Sequence, residues 1–437
     1  MIQLQPKAPL INKLLGEQSF DKNLKYKWAS FVFQVDMFTQ YVFYNLFTKH
    51  TVAIENGKEA VYIEELVKNW FLVPDGMDDS VVVKEFKQLV GNVHHMSGII
   101  RDYTIFTTTD CNARCHYCFE KNSVKQRMET ATIGQTIRFI KNHYKNQPIR
   151  IQWFGGEPLY NLKAINMISD SLNHDGITFS SSMTTNGFLF SEKLINKGVE
   201  QWHLKKVQIT LDGTEHIYNQ TKNYVRSCGI SPFSIVLDNI EKLLNKDITV
   251  VLRLNLSLDN FDDLKELVVS LKERFGLYKN ISIYPIPLFE LIRNDFLRKD
   301  VYDHLFDIQS LIFKYGLGTE YAYFNRIRVN HCKADNNGHS LVIFPDGHLG
   351  LCEHEWCKRY IGHVENNCLD ESEIDRWKKY NPATEKCRHC LFYADCLKLS
   401  RCDTNNFCYE EQIQFDKNQL KDTIVKHYKS RRDEIEI

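Results

Sequence analysis

No stretch of this 437-residue sequence approaches the ~18 uncharged apolar residues that a membrane helix needs. The opening MIQLQPKAPLINKLLGEQSF also lacks the continuous apolar core of a signal peptide. A cytoplasmic protein with no membrane partner is expected. Net charge is missing as well: Lys plus Arg and Asp plus Glu number 55 each, so no overall field draws the chain to nucleic acid or to an anionic surface. There is no internal repeat and no low-complexity segment. The absences leave a globular chain with a smaller, more specific partner, and at roughly 150 residues per domain they leave room for two or three domains.

Cysteine is what the sequence has in quantity. An odd number, 13, in a cytoplasmic chain argues against a disulfide framework and for metal binding. Three fall at 111 to 118 and nine between 332 and 408. Cys228 stands alone and reads as a small buried hydrophobe.

From about 103 to 315, β-branched apolar runs alternate with helical patterns. Strands are expected at YTIFTT (103–108), IRIQWF (149–154), ITFSSSMTT (177–185), KVQITL (206–211), ITVVLRLNL (248–256) and ISIYPI (281–286). TATIGQTIRFIKNHY and DDLKELVVSLKERF are among the helices between them. Such alternation means βαβ units and a parallel sheet, and about 210 residues supply six strands where a closed barrel needs eight. The expected fold class is therefore α/β, a partial (β/α)6 TIM-like barrel open on one side. A small α+β domain with aromatic-rich strands precedes it over 1–95, the barrel itself takes 96–320, and a loop-rich, metal-stapled domain follows over 321–437.

Active sites in such folds gather at the C-terminal ends of strands. CNARCHYC (111–118) follows the first strand, GGEP (155–158) the second, NG the third and DG the fourth. Cys111, Cys115 and Cys118 offer three sulfurs and no fourth. On a helix their spacing would share one face, which leaves a buried-core reading open beside the metal one. A closed zinc site would need another ligand, and His116 is poorly placed among its neighbours.

The C-x3-C-x2-C spacing, with aromatic Tyr117 before the last cysteine, resembles the signature of radical S-adenosylmethionine (SAM) enzymes. The resemblance implies a four-iron, four-sulfur cluster on Cys111, Cys115 and Cys118, its fourth iron open to SAM. Reductive cleavage of SAM would then yield a 5′-deoxyadenosyl radical. Gly155, Gly156, Glu157 and Pro158 resemble the motif that holds the methionine amino group of SAM. The residue types suit that role, since glycine permits close backbone approach, a carboxylate accepts from an ammonium, and proline starts the next helix. MTTNG (183–187) and QITLDG (208–213) stand where the family's third and fourth strand motifs do, which implies contacts from Thr185, Asn186, Thr210 and Asp212. Turn chemistry alone also explains Asn-Gly and Asp-Gly. Relatives carry His-Asp-x-x-Arg where this chain reads NQTK (219–222), and Lys in place of a bidentate Arg counts against a ligand contact by Lys222.

The tail runs Cys332, Gly347, Cys352, then CRHCLFYADC with Cys387, Cys390 and Cys396, then Cys402 and Cys408. It resembles the SPASM extension, which implies two auxiliary four-iron, four-sulfur clusters. Carried over by order, Cys387, Cys390, Cys396 and Cys408 hold the outer cluster, and Cys332, Cys352 and Cys402 the inner one. The inner set lacks an obvious fourth sulfur, for which Cys357 or the substrate stands in. The x5 spacing from Cys396 to Cys402 departs from the usual x3. Zinc remains the alternative for these pairs. Cys368 gets no role, and His331, His339, His348, His354 and His363 read as surface or packing residues.

The resemblance implies a peptide maturase that abstracts a hydrogen from a ribosomally made precursor peptide and installs a thioether, carbon–carbon or ether crosslink. Its partners would be that peptide and an electron donor such as flavodoxin or ferredoxin. Residues 1–95 read equally as a structural cap or a peptide-docking domain. An anaerobic sulfatase-maturase forming formylglycine is the alternative enzyme, and a zinc-stapled binding protein the non-enzyme.

Overall fold

The computed structural model describes residues 1–95, 99–121, 123–225, 229–321, 324, 334, 339–355, 359–378, 385–396 and 408–435. Contacts gather them into two units rather than three consecutive segments. The first draws its described residues from 1–97, 320–332 and 379–437, and the second from 98–319 and 333–378.

In the first unit the strands are β1 (Ile2–Gln5), β2 (Tyr26–Trp28), β3 (Val32–Asp36), β4 (Gln40–Asn45), β5 (Thr51–Glu55) and β6 (Leu72–Pro74). β3, β4 and β5 form an antiparallel meander, and β1 pairs antiparallel with β5, giving the order β1-β5-β4-β3. β2 and β6 pair separately. Val35, Val42, Tyr44 and Ala53 are buried in one core with Phe86 of the helix Asp79–His95 and with Leu420 and Ile424 of the helix Glu410–Ile435. The core is therefore built from both ends of the chain. Within it the Lys49 ammonium lies 2.7 and 2.9 Å from the two oxygens of Asp395, and both side chains are almost wholly excluded from solvent.

The second unit holds β7 (Asp102–Thr108), β8 (Ile149–Gly155), β9 (Phe179–Thr185), β10 (Leu204–Leu211), β11 (Thr249–Leu256) and β12 (Ile281–Pro287). Each lies within two residues of a strand expected from the sequence. They are parallel and ordered as in the chain, with β12 at one edge. Helices Thr130–His143, Leu162–His174, Glu192–Glu200, Pro232–Leu244, Phe261–Phe275 and Arg298–Lys314 follow the strands in turn. Right-handed crossovers wound in one direction put such helices on one face of the sheet.

The pleat then sorts the side chains. Ile105, Trp153, Met183, Ile209, Leu252 and Ile283 are sealed on the helix side. Gln152, Ser182, Thr184, Gln208, Thr210, Arg253 and Tyr284 alternate with them onto the inner face and stay half-buried. The barrel is open because the free side of β7 pairs with β13 (Ser340–Ile343), not with β12. β14 (His348–Gly350), β15 (Gly362–His363) and β16 (Cys368–Leu369) continue the sheet antiparallel. The sequence reading made this stretch part of a loop-rich tail, because its strands are too short to show a period. Val342 and Phe344 pack with Phe106, Phe154 and Tyr360, so β13 and the turn beyond it supply an aromatic border to the inner face.

Candidate active site

Two glycines bring the end of β8 against the loop that leaves β7. Gly156 N–H donates to Thr108 O at 3.0 Å and Glu157 N–H to Asp110 O at 3.0 Å. Gly155 has φ +122°, and a Cβ there would stand 2.0 Å from Thr108 O; a Cβ on Gly156 would stand 2.4 Å from Asp110 O. Only glycine permits this backbone-on-backbone approach. Pro158 opens the short 3-10 turn Pro158–Asn161 that leads into the next helix.

The cysteine segment is a turn-rich loop rather than a helix, so its spacing does not make one buried stripe. Asp110 Oδ1 accepts from Cys111 N–H at 2.9 Å, and Cys118 N–H donates to Cys115 O at 3.3 Å. All three thiols are half-buried. Burial, with Glu157 nearby, pushes Cys111 up to about 12, and burial also raises Cys118. Cys111 and Cys118 therefore favour the protonated thiol until a strong positive centre meets them.

Glu157 is fully buried. Its oxygens accept from Thr185 Oγ1 at 2.9 Å, Asn186 N–H at 2.9 Å and Leu159 N–H at 3.2 Å, which ties the ends of β8 and β9 together. Burial nonetheless lifts its carboxyl to about 7. Asn186 Nδ2 donates to Asn112 Oδ1 at 2.7 Å and lies 3.8 Å from Cys111 Sγ. Thr185 and Asn186 thus reach the cysteine loop through one carboxylate and one amide.

Asp212, at the end of β10, accepts from the Tyr117 hydroxyl at 2.8 Å and from Asn255 Nδ2 at 2.9 Å. Lys222 Nζ pairs with its other oxygen at 2.9 Å and donates to Tyr117 Oη at 3.0 Å. Burial works against the Lys222 ammonium, but Asp212, Tyr117 and Cys115 outweigh it and hold its pKa well above the ordinary value. Lys222 is therefore held within this cluster by Asp212 and Tyr117, its ammonium turned to protein partners. The helix Glu215–Lys222 carries it back beneath the cysteine loop, where Lys222 O accepts from Arg114 N–H at 2.8 Å. Thr210 lies half-buried on the inner face, level with Arg253 of β11.

Sequence reasoning missed three participants. Asn255 steadies Asp212 from β11, and Asn260 Nδ2 donates to Asp212 O at 2.7 Å. Glu120 is buried with neither carboxylate oxygen hydrogen-bonded to a described residue, and burial raises it to about 7. Only Glu120 had a local signal, its place two residues after Cys118.

A four-iron cluster and SAM fit these residues. Among the described residues no three His, Cys, Asp or Glu side chains converge on a single metal ion. A cluster makes no such demand, because each thiolate ligates a separate iron. Asn112 Nδ2, buried beside Cys111 without an acceptor, is a donor available to a cluster sulfur. Glu157, a buried carboxyl beside the glycine cradle, is of the chemical type that accepts from an ammonium.

In the first unit, Cys387, Cys390, Cys396 and Cys408 are neighbours: burial raises Cys390 to about 11, and the other three thiols add to the shift. Cys352 sits half-buried in the turn after β14, in the second unit. Cys228, His331, Cys332, Cys357 and Cys402 lie outside the described residues.

An open six-stranded parallel barrel with three cysteines after its first strand, a Gly-Gly-Glu-Pro cradle after its second and polar loops after the next two defines a radical SAM domain. The radical SAM superfamily model matches residues 105–271, from β7 into the helix after β11, and this stretch is a radical SAM domain. It is 23% identical over 320 residues to the radical SAM cyclopropyl synthase TigE of Paramaledivibacter caminithermalis, covering 68% of this chain and 65% of TigE. It is 29% identical over 171 residues to a GTP 3′,8-cyclase of Clostridium perfringens, covering 38% of this chain and 50% of the cyclase. The chain thus spans about two thirds of one curated relative and half of the other. Among solved structures, anSMEcpe with bound AdoMet and Cp18Cys peptide shares the fold, with a TM-score of 0.54, 17% identity, and coverage of 76% of this chain and 99% of that one.

Proposed function

We propose that the protein is a radical SAM peptide maturase. The observation that carries the reading is the convergence of Cys111, Cys115, Cys118, the Gly155–Glu157 cradle and the Tyr117–Asp212–Lys222 cluster at one end of an open barrel. When bound, the cluster and SAM supply a reductively generated radical that takes a hydrogen atom from an unactivated carbon. The protein's own residues do the rest. Cys111, Cys115 and Cys118 hold three irons, Gly155 and Gly156 let the backbone approach, and Glu157 takes the ammonium of SAM. Asn186 links Glu157 to the cysteine loop, and Asp212 and Lys222 lock Tyr117 in place. The half-buried inner face of β8 to β12 is the surface a substrate would meet.

A peptide substrate is supported by the shared fold with anSMEcpe, whose structure holds AdoMet and a peptide. The GTP-cyclase kinship is weighed against it by charge: a nucleoside triphosphate calls for several cations, and the upper inner face carries one, Arg253. The product would be a crosslink within a precursor peptide. Similarity to a cyclopropyl synthase favours a bond formed within the substrate over oxidation of one residue to formylglycine, the sulfatase-maturase alternative.

Cys387, Cys390, Cys396 and Cys408 are assigned here to an outer auxiliary cluster, with Cys332, Cys352 and Cys402 for an inner one. A low-potential flavodoxin or ferredoxin in the cytoplasm would deliver the electron. Residues 1–95 are offered as a docking domain for the precursor. No helix among the described residues is long and apolar enough to cross a membrane.

Coexpression with a candidate precursor peptide, followed by mass spectrometry, tests the reading. Loss of a pair of hydrogens with a new backbone-fragmentation gap supports a crosslink. An unmodified peptide, together with a neighbouring sulfatase that gains formylglycine, would replace it with the alternative.

A further inference from the structure

From mid-strand to the C-terminal ends, β7 to β12 read TIFTT, QWFG, SMTT, QITL, RLNL and YPIP, and Arg253 is the single charged residue among them. Its strand neighbours in register are Thr210 and Tyr284, so all three stand on the inner face. The partners around it are neutral. Arg253 Nε donates to Asn255 Oδ1 at 3.0 Å, and the Tyr284 hydroxyl donates to Gln208 Oε1 at 3.2 Å. No described carboxylate pairs with the guanidinium, whose two terminal nitrogens make no hydrogen bond to a described residue.

A half-buried guanidinium without a counter-charge is costly to keep. Position gives the reason. Asn255, its one partner, holds Asp212 at 2.9 Å, so Arg253 is tied to the Tyr117 cluster through two hydrogen bonds. It faces the same open side of the sheet as the aromatic border of Phe106, Phe154 and Phe344. Its terminal nitrogens form the planar fork that takes a carboxylate in two parallel hydrogen bonds.

We propose that Arg253 is a substrate-binding residue that pairs with a carboxylate of the peptide, deepening the peptide-maturase reading on which it rests. One cation among neutral donors matches a single negative charge. Arg253 is set apart from the cysteine loop, since Lys222 is the cation beside Tyr117 and Cys115, whereas Arg253 lies beyond Asp212 and Asn255. The substrate therefore carries an acidic side chain, or its own C-terminus, close to the residue that is modified.

Equilibrium dialysis of the anaerobically reconstituted full chain with SAM tests this. The probes are acetyl-Ala-Glu-Ala-amide and acetyl-Ala-Gln-Ala-amide together, and glutarate and glutaramide together. The wild type is expected to retain each acid over its amide by about fivefold or more, as a charge-assisted pair requires. Arg253→Gln should lose that preference, and Arg253→Lys should keep part of it. SAM affinity is read on the same samples, and cluster absorbance certifies the fold of each variant. Equal retention of acid and amide by the wild type, or a preference that survives in Arg253→Gln, overturns the proposal. So does a weakening of SAM by about tenfold with the acid preference intact, which would give Arg253 to SAM. An Arg253-dependent preference for glutarate with neither tripeptide retained keeps the carboxylate site and removes the peptide reading instead.

Discussion

Lys222 Nζ lies 2.9 Å from Asp212 Oδ2, with both side chains at most 3% exposed, and the same ammonium donates to the Tyr117 hydroxyl. A charge pair this deep stands only while both members are present, because removing one strands the other in low dielectric. Lys222→Met should cost about 3–5 kcal/mol in urea unfolding of the full chain. Tyr117→Phe removes two hydrogen bonds, one to Asp212 and one from Lys222, but leaves the ion pair in place, so it should cost less, about 1–3 kcal/mol. Equal losses would show that Tyr117 rather than the ion pair holds the cluster.

Gly156→Ala tests the cradle. A Cβ 2.4 Å from Asp110 O forces the β8 turn away from the cysteine loop, and no flexible side chain can yield, since the obstacle is backbone. Iron content after reconstitution and SAM affinity should both fall at least about tenfold, while Gly134→Ala, in open space on a helix, should change neither.

Glu157 predicts a pH dependence. Burial raises its carboxyl from 4.5 to about 7, so the folded, ligand-free chain holds a proton that the unfolded chain releases. That contribution to stability is fully present below about pH 4.5 and is lost as pH rises through about 7. The Tm of the ligand-free protein should carry a downward slope across this window that Glu157→Gln flattens. SAM affinity should run the other way, rising with pH as the carboxylate forms to meet the ammonium. Affinity independent of pH between about 5.5 and 8 would remove Glu157 from that role.

Lys49 and Asp395 make the matching test in the first unit. Burial lowers the Lys49 pKa and raises that of Asp395, which means desolvation outweighs their attraction. Lys49→Met alone should cost about 3–5 kcal/mol, whereas Lys49→Met with Asp395→Leu should recover most of that loss. Denaturant melts of the single and double variants separate the two. A double variant no better than the single would mean that the pair contributes net stability.

The sheet was the most legible part of the molecule. Each barrel strand announced itself as a β-branched run such as ITVVLRLNL, because strands buried on the helix side need little polar interruption, and glycine or asparagine marked each functional end. Cys111, Cys115 and Cys118 were readable for the same reason, being local in sequence. Ser340–Ile343 was not, because four residues carry no period and only pairing with β7 makes them a strand. The tie of Lys222 to Asp212 and Tyr117 was not legible, because those partners lie ten and more than a hundred residues away. The union of residues 1–97 with the C-terminal helix was also invisible, since Leu420 and Ile424 meet Val42 only in the fold. Deleting the N-terminal segment would therefore strip a shared core, and docking is better tested by surface substitutions.

The central claim is that Cys111, Cys115 and Cys118 hold a cluster that cleaves SAM. Its most direct test is chromatography of 5′-deoxyadenosine formed by the anaerobically reconstituted full chain with dithionite and SAM. The account predicts 5′-deoxyadenosine that depends on reductant and disappears in Cys111→Ala, Cys115→Ala and Cys118→Ala, while Cys368→Ala retains it. A wild type that binds zinc without iron, or a cluster-loaded wild type that leaves SAM intact under reductant, would contradict it.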